Sequence, residues 1–235
     1  MTQERRGRGQ AAMEWPPLVR IYESRLWRRN PLFGLATRIS FEGERALIEA
    51  AASVEEHDRV LDLACGPGIY ARRFAAAVPG GSVVGLDLSM PMLREAASLT
   101  GAEGHGNLHL VRGSALALPF GAGRFDVVNC CGALHLFPDP RLALGEIARV
   151  LAPEGRFTVA AFRRGDGRLA EWASRRRQRF WGLEEFTPEK LAHWMAEVGL
   201  SGPRCLHAVG RWLIMSAVRE KGETDAAPGA QPTGV

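Results

Sequence analysis

Two glycines and an aspartate have the types and the spacing of a site for a nucleoside-bearing ligand. Gly66 and Gly68 follow an apolar run at residues 60–64, which is typical of a strand buried on both faces. Glycines permit a sharp turn and leave no side chain between the backbone and a ligand. Asp87 ends the next apolar run, nineteen residues after Gly68. At that spacing a carboxylate can bind the hydroxyls of a ribose, so the sequence predicts a nucleoside-bearing cofactor here.

The segment from Gly66 to Ala71 also matches the dinucleotide fingerprint G-x-G-x-x-A. A helix after Gly68 would direct its unpaired N–H groups at the ligand, as dinucleotide sites do. An NAD-binding protein, however, needs a second mononucleotide half and a separate catalytic domain. A chain of 235 residues leaves little room for both, so this pattern alone does not select NAD.

Composition and charge narrow the class of protein. With 235 residues, 46% of them hydrophobic, the chain suits one domain with one sizeable core. It has no apolar run of about eighteen residues, and its polar, arginine-rich start lacks the apolar region of a secretory signal. We therefore expect neither a transmembrane helix nor secretion. The net charge of +4 and the clustered arginines favour a solvated basic face over a nucleic-acid or anionic-lipid surface.

The four cysteines favour buried thiols over a metal site or a disulfide framework. They are sparse, lie mostly in apolar runs and form no CxxC pair, so we expect no metal. We interpret them as reduced core thiols of a cytoplasmic protein. The four are Cys65, Cys130, Cys131 and Cys205.

Strands and helices must alternate to position these residues. Strands are predicted at residues 60–64, 82–87, 107–112, 124–130 and 156–162. Helices are predicted at residues 41–52, 69–77, 90–98, 138–151 and 188–199. Such alternation indicates a doubly wound α/β fold around a parallel sheet. A closing hairpin at residues 203–209 and 211–218 would add an antiparallel edge.

One domain is expected at residues 13–218, between tails at residues 1–12 and 219–235 that are predicted to be disordered. Within it, residues 13–40 are expected to form a cap of short helices, and residues 163–186 an insertion. Both segments mix aromatic side chains with arginines. In the 41–52 helix, Glu44 is expected on the solvent side, with Ala46 and Ala50 on the buried side.

Five motifs in order resemble those of class I S-adenosylmethionine (SAM)-dependent methyltransferases. They are residues 61–68 (LDLACGPG), 85–89 (GLDLS) with Met92 and Leu93, 113–120 (GSALALPF), 125–128 (FDVV) with Leu134 and His135, and 146–157 (EIARVLAPEGRF). Together they cover about residues 41–162. The sequence is most similar to the ubiquinone/menaquinone-biosynthesis-like branch, which acts on small molecules. The resemblance implies a Rossmann-like, seven-stranded sheet, mostly parallel, with a C-terminal antiparallel hairpin.

The resemblance also implies roles at a SAM site. Gly66 and Gly68, with the adjoining Ala64 and Cys65, would let backbone amides approach the amino-acid end of SAM, and Asp87 would accept both ribose hydroxyls. Asp62 would either act on the ligand's ammonium group or fix the turn through its backbone. Further cofactor-binding positions are implied at Leu88, Met92, Ser114, Ala115 and Cys130.

Three of these further positions carry an alternative or a departure. Leu88 and Met92 would pack on the adenine, although Met92 could equally be a core residue. Ser114 stands where the family usually has an acid that holds the adenine amino group. Cys130 would border the methionine moiety or be a core thiol.

The residues that would face the methyl acceptor are less well defined by pattern. His135 follows a cofactor strand at the edge where open α/β sheets bind ligands, so it is a candidate general base for a phenol or alcohol. Its alternative role is to line the pocket or to cap the loop. Tyr22, Trp27 and Trp181 are candidate acceptor contacts in the two aromatic–arginine segments, which we interpret as a lid or, alternatively, as side chains packed on the sheet.

Three function classes follow from this reading. The favoured one transfers a methyl group from SAM to a small, apolar or aromatic acceptor by O- or C-methylation. An RNA methyltransferase is the second, although residues 129–132 (NCCG) replace the NPPY-type tetrad that methylates base amines, so no nucleic-acid partner is expected. The third is a protein that binds SAM or S-adenosylhomocysteine (SAH) without transferring a methyl group. The sequence leaves the identity of the acceptor and the oligomeric state open.

Overall fold

The structure is a computed structural model that describes residues 31–221, with side chains from residue 34 onward. The predictions for Tyr22, Trp27, most of the cap and both tails therefore lie outside the described residues, apart from the first three positions of the C-terminal tail. Within the described range the strands are β1 (Arg59–Leu63), β2 (Ser82–Asp87), β3 (Leu108–Arg112), β4 (Phe125–Cys131), β5 (Leu151–Phe162), β6 (Leu200–Val209) and β7 (Trp212–Arg219). The helices are α1 (Pro31–Thr37), α2 (Phe41–Ala52), α3 (Ile69–Ala77), α4 (Met90–Glu103), α5 (Pro140–Val150), α6 (Arg168–Trp181) and α7 (Pro188–Glu197).

These strands form one seven-stranded sheet in the order β3-β2-β1-β4-β5-β7-β6. The first five strands along the chain pair in parallel, whereas β7 runs antiparallel to both β5 and β6. The predicted fold class, mostly parallel with a C-terminal antiparallel hairpin, is confirmed. The strand order reverses between β1 and β4, and a crevice opens at such a switch point beyond the carboxyl ends of the strands.

Helices cover both faces of the sheet and bury two apolar clusters. On one face Leu61 and Leu63 of β1 pack in a cluster with residues of α5 and α7. On the other face Val60 belongs to a cluster with Ile48 of α2 and Phe74 of α3. Neighbouring positions on a strand point to opposite faces, so one short strand contributes to both cores. This double coverage explains why residues 60–64 are apolar apart from Asp62.

Short-range signals fix most helix ends. The Ser89 and Thr187 side chains accept hydrogen bonds from the backbone N–H groups of Met92 and Lys190, which caps α4 and α7 as their sequences predict. The prediction that the helix after Ser89 ends near residue 98 was wrong. It continues to Glu103 and ends where Gly104 adopts a left-handed conformation, with φ of 76°.

The buried side of α2 differs from the prediction. Glu44 is only 2% exposed and lies on the buried side with Ile48 and Ala52. Ala46 and Ala50, which were expected inside, are exposed. Spacing of four residues places positions 44, 48 and 52 on one stripe, and this stripe faces the sheet.

The predicted insertion at residues 163–186 contains α6 and is bonded to the rest of the fold at its end. The Glu184 N–H donates to the backbone carbonyl of His135, and Glu185 binds the guanidinium groups of Arg177 and Arg211. Arg211 lies at the turn between β6 and β7. The insertion is therefore joined both to the segment after β4 and to the closing hairpin.

Candidate functional site

A cavity of about 1050 Å³, counted out to its open mouth, lies at the carboxyl ends of β1, β2 and β4. Its position coincides with the reversal of strand order, where ligands bind in open α/β sheets. Its wall is formed by the turns after β1 and β3, which contain Gly66 and Gly113, by the starts of α3 and α4, and by the segment after β4. The cavity is thus built from the elements that follow the four neighbouring strands β1 to β4.

The turn between β1 and α3 brings backbone close to the cavity. Gly66 has φ of 54° and Gly68 has φ of 81°, in the left-handed region that favours glycine. A Cβ added to Gly66 would meet a single atom within 4 Å, the Met92 sulfur at 4.0 Å, so this position opens onto free space. A Cβ on Gly68 would instead press on Ala96 at 3.3 Å. Gly66 lines the cavity, whereas Gly68 permits the close packing of α3 and α4.

Asp87 connects this turn to the end of β2. One carboxylate oxygen accepts the Gly66 N–H at 2.8 Å, and the other accepts the Ser89 N–H at 2.8 Å. A carboxylate has about four lone-pair sites, two on each oxygen. Asp87 lines the cavity, and two oxygens held side by side are suited to two adjacent hydroxyl groups.

The wall next to Asp87 is largely apolar. Leu88 and Met92 line it from the start of α4, and Ser114 and Ala115 line it from the turn after β3. The Ser114 hydroxyl accepts the Leu116 N–H at 3.2 Å and so holds its own turn. All four predicted positions lie at the cavity, together with the predicted Ala64 and Cys65.

Asp62 lies at the cavity in a buried polar network. Its carboxylate accepts a hydrogen bond from the Asn129 side-chain amide at 2.7 Å, and the Asn129 carbonyl oxygen accepts one from Thr158 at 2.9 Å. The network joins β1, β4 and β5 beneath the cavity floor. The predicted alternatives for Asp62 were an ammonium contact and a bond to the turn, and the structure adds this contact across the sheet.

Cys131, not Cys130, lines the cavity. Cys130 is fully buried in the cluster with Leu61 and Phe157, and burial raises the pKa of its thiol. Of the two roles predicted for Cys130, the structure shows the core thiol, and Cys131, the last residue of β4, takes the position at the cavity. In a strand, a shift of one residue moves a side chain to the opposite face.

His135 does not line the cavity within residues 31–221. Its ring is 3% exposed, its centroid is 4.0 Å from that of Phe162 and 6.2 Å from that of Trp212, and its Nδ1 accepts the Phe162 N–H at 3.4 Å. Burial lowers the pKa of His135 to about 3, against the charge of Glu185, which raises it. A packed ring of this basicity is not placed to act as the general base expected from the sequence.

The buried His135 should make stability fall in mild acid. Its pKa is about 3 in the fold and near 6.5 in the unfolded chain, so protons bind preferentially to the unfolded state as the pH falls below 6.5. Between pH 7 and pH 5 this costs about 2 kcal/mol. His135→Phe keeps an aromatic ring and removes this loss, so urea unfolding should show a smaller acid dependence in the variant. If the wild type and His135→Phe lost the same stability between pH 7 and pH 5, the burial of a neutral His135 would be contradicted.

The other candidate acceptor contacts lie away from this cavity or outside the described residues. Trp181 ends α6, is 55% exposed and borders a separate surface hollow with Trp172 and Phe180. The Arg176 guanidinium lies over both of the latter rings, at 5.7 Å and 5.4 Å. The insertion therefore presents an aromatic–arginine surface, as its composition predicts.

Some cavity residues were missed by sequence reasoning. Tyr70 and Cys131 line the wall, and Glu44 lies behind them. Tyr70 lies inside the glycine motif and Cys131 directly follows a predicted strand, so the sequence could have indicated both positions as cavity residues. The spacing of four residues between Glu44 and Ile48 could have indicated that Glu44 lies on the buried side of α2.

The lining fits the amino-acid and nucleoside parts of SAM. The cavity combines the two carboxylate oxygens of Asp87, an apolar wall and an open glycine turn. It also contains the start of α3, whose first N–H groups have no acceptor within the helix. The residues that hold a ribose, an adenine and an amino-acid end are thus present in one space. The structure shows no group of histidine, cysteine, aspartate or glutamate side chains in residues 31–221 that could hold a metal ion.

Comparisons with known proteins agree with this geometry. Residues 60–155 match a family profile described as a methyltransferase domain. This part of the chain is therefore similar to methyltransferase domains. A demethylmenaquinone methyltransferase of Thermus thermophilus is 43% identical over 104 residues, which span 44% of this chain and 47% of that protein. An uncharacterised chloroplastic methyltransferase of Arabidopsis thaliana is 34% identical over 153 residues, 62% of this chain and 42% of that one.

The similarity in fold to solved structures extends over most of the chain. The crystal structure of the YcgJ protein from Bacillus subtilis superposes with a TM-score of 0.67 at 20% identity, over 75% of this chain and 98% of that one. The chain spans less than half the length of the two curated methyltransferases described above. Among residues 31–221, none of the helices has both the length and the apolar composition needed to cross a bilayer.

Proposed function

We propose that the protein transfers a methyl group from SAM to a small, apolar or aromatic acceptor. The observation that carries this proposal is the Asp87 carboxylate, which is fixed at the cavity by two backbone N–H groups beside an open glycine turn. When bound, SAM supplies a methyl group that its sulfonium has already activated. The task left to the protein is to align donor and acceptor and to exclude water.

The cavity residues divide this task. Asp87 holds the ribose hydroxyls, and Leu88 and Met92 pack on the adenine. The start of α3 faces the carboxylate of the amino-acid end, because the first N–H groups of a helix carry partial positive charge. The apolar Leu136 and Phe137, which line the wall after β4, exclude water from the methyl group.

The titratable groups at the cavity indicate the kind of acceptor. The lining contains no histidine and no lysine within residues 31–221. A neutral alcohol would need a general base, whereas an activated carbon or an already ionised oxygen would not. Quinols and acidic phenols meet this condition, and the similarity to a demethylmenaquinone methyltransferase supports the same class.

The insertion supplies the acceptor side in this proposal. The Glu184 N–H is bonded to the backbone of His135, next to Leu136 at the cavity wall. This bond attaches the insertion beside the cavity wall, three residues after the end of α6, which carries the surface with Trp172, Arg176 and Phe180. Aromatic rings and guanidinium groups together favour flat rings that carry an anionic group.

The test is incubation of the full chain with methyl-labelled SAM and a panel of quinols, phenols, carboxylates, polar amines and tRNA. We expect label in the quinol or phenol products. Label only in amines, protein or tRNA would contradict the proposed acceptor class. Binding of SAM by calorimetry without transfer to any acceptor would favour a protein that binds SAM and does not methylate.

A further inference from the structure

The helix of the insertion, α6, directs its largest apolar side chains away from the fold. Leu169, Trp172 and Phe180 are 84%, 61% and 53% exposed. On another side of the helix, Arg177 binds the buried carboxylate of Glu185. A surface helix that packs only on its own protein has the reverse arrangement, with its apolar side chains towards the core. The apolar side of α6 is thus left uncovered by the part of the chain that the structure describes.

These apolar side chains form one stripe along the helix. Positions 169, 172, 176 and 180 are three or four residues apart, a spacing that places side chains on the same face. Arg176 lies in the middle of the stripe, with its guanidinium over the rings of Trp172 and Phe180. We call Leu169, Trp172, Arg176 and Phe180 the α6 stripe. Trp181, which ends the helix, is also exposed and adds a further ring beside it.

Positive charge is concentrated on the same helix. α6 contains five arginines and one glutamate, so its net charge equals the +4 of the whole chain. Two of the arginines form ion pairs with glutamates. The other three are exposed and form no ion pair with any residue of the described range; they are Arg168, Arg176 and Arg179. The exposed side of α6 therefore combines cations that no carboxylate neutralises with uncovered apolar side chains.

An anionic lipid surface matches both properties at once. Helices that lie in the plane of a bilayer interface combine Leu, Phe and Trp side chains with basic ones and have low overall hydrophobicity. Tryptophan rings favour the level of the lipid headgroups, where guanidinium groups meet anionic lipids. A nucleic acid would neutralise the arginines, but it offers no apolar phase to the aliphatic Leu169. The arginine clusters alone favour a solvated basic face, and the α6 stripe is what changes that interpretation.

We infer that the α6 stripe, with the neighbouring Arg168 and Arg179, docks on the surface of an anionic lipid bilayer. The insertion follows the carboxyl end of β5, and its Glu184 N–H is bonded to the backbone of His135 beside the cavity wall. Docking therefore turns the cavity end of the sheet towards the lipid. The inference goes beyond the proposed function and does not rest on it, because docking needs neither SAM nor an acceptor.

The test is sedimentation of the full chain with vesicles of two compositions, at about 0.1 M salt so that distant charges are screened. One vesicle contains phosphatidylcholine alone, and the other contains phosphatidylcholine and phosphatidylglycerol. We expect at least about tenfold tighter binding to the anionic vesicles, because each arginine near an anionic surface contributes a factor of about five. Equal binding to both vesicles, or binding to neither, would overturn the inference.

Two variants separate the charged and the apolar parts of the surface. Arg168→Gln/Arg179→Gln should weaken binding to anionic vesicles about tenfold to thirtyfold. Trp172→Ser/Phe180→Ser should weaken it at least about tenfold, because two rings no longer leave water for the interface. All four side chains are exposed, so the melting temperatures should stay close to that of the wild type. Loss of binding in neither variant would contradict the docking surface.

The variant Arg94→Gln/Arg124→Gln is the matched control for charge. Both arginines are exposed and lie away from the insertion, on α4 and directly before β4. The control makes the same change in net charge as Arg168→Gln/Arg179→Gln, and we expect it to bind anionic vesicles within about twofold of the wild type. If both variants lost binding equally, net charge rather than α6 would explain the attraction.

A fluorescence measurement shows which part of the chain meets the lipid. Bromine atoms on the lipid chains quench tryptophans that reach them. Trp172→Phe/Trp181→Phe keeps two apolar rings and removes two fluorophores, so vesicle binding should persist while the quenched intensity falls. Retained binding with unchanged quenching would place the lipid contact elsewhere on the chain and overturn the inference.

A nucleic acid and the proposed function are tested separately. If tRNA bound the full chain, the anionic vesicles did not, and Arg168→Gln/Arg179→Gln abolished tRNA binding, the surface would recognise nucleic acid and the inference would be wrong. Vesicle binding is measured without SAM, so its failure leaves the proposed methyl transfer standing. Conversely, absence of SAM binding by calorimetry would refute the proposed function without affecting the docking surface.

Discussion

Replacing Asp87 with alanine is expected to weaken SAM binding by at least about a hundredfold. In the proposed SAM site this variant would lose two hydrogen bonds from ribose hydroxyls to a carboxylate, each of which contributes about 1.5–3 kcal/mol when one partner is charged. The same change removes the acceptor of the Gly66 and Ser89 N–H groups, which shape the turn and the start of α4. Calorimetric titration with SAM measures the loss directly.

The isosteric variant Asp87→Asn separates recognition of the ribose from support of the turn. The asparagine side chain keeps only one acceptor oxygen. It therefore cannot accept hydrogen bonds from the Gly66 and Ser89 N–H groups and from two ribose hydroxyls at the same time. We expect Asp87→Asn to bind SAM with an affinity between those of the wild type and Asp87→Ala. Its melting temperature should lie closer to that of the wild type than the melting temperature of Asp87→Ala does. Unchanged SAM affinity in Asp87→Ala, in a folded protein, would refute the assignment of the cofactor site.

The parts of this site that sequence predicts are those set by local chemistry. Gly66 and Asp87 lie at the ends of β1 and β2, and short apolar runs mark those ends. The bounds of β2, α2 and α3 agree with the prediction at both ends. Glycine turns and capping side chains act within a few residues of where they stand, so their effect can be read without knowledge of the packing.

The parts that sequence does not predict depend on contacts between distant segments. His135 follows a cofactor strand, but its ring packs against Phe162 and Trp212, which arrive from β5 and β7. Glu44 appears in a charged helix and becomes buried because Tyr70 and Cys131 provide donors. The burial of both side chains depends on partners that lie tens of residues away in the sequence. No local pattern around positions 44 or 135 predicts which residues these partners are.

Removal of both arginines that bind Glu185 is expected to destabilise the fold more than removal of Glu185 itself. The Glu185 side chain is 1% exposed, whereas those of Arg177 and Arg211 are 32% and 38% exposed. In Glu185→Gln the two guanidinium groups can turn to water. In Arg177→Met/Arg211→Met a carboxylate stays buried without its two cations, which costs about 3–5 kcal/mol in the free energy of unfolding.

Glu185→Gln is expected to be more stable than the double arginine variant because the charge that stays unpaired is exposed in the first and buried in the second. The same ion pairs are broken in both variants, so a sum of contacts would predict equal losses. We expect the triple variant, which adds Glu185→Gln to the two arginine changes, to recover stability relative to the double variant, because no buried charge remains. Urea unfolding of the four proteins measures each step, and a triple variant less stable than the double one would contradict the argument.

Acidification should affect the wild type and the double arginine variant in opposite directions. Burial raises the pKa of Glu185, but hydrogen bonds from Arg177 and Ser174 and the charge of Arg211 outweigh it, so the pKa lies below its ordinary value. The ionised pair therefore stabilises the wild type above the ordinary glutamate pKa, and this contribution is lost as the pH falls. Without the arginines, burial opposes only the hydrogen bond from Ser174, so the pKa of Glu185 rises and protonation in mild acid relieves the buried charge. The stability difference between the two proteins should thus narrow between pH 7 and pH 5, and a constant difference would show that Glu185 is not the buried charge that joins the insertion to the hairpin.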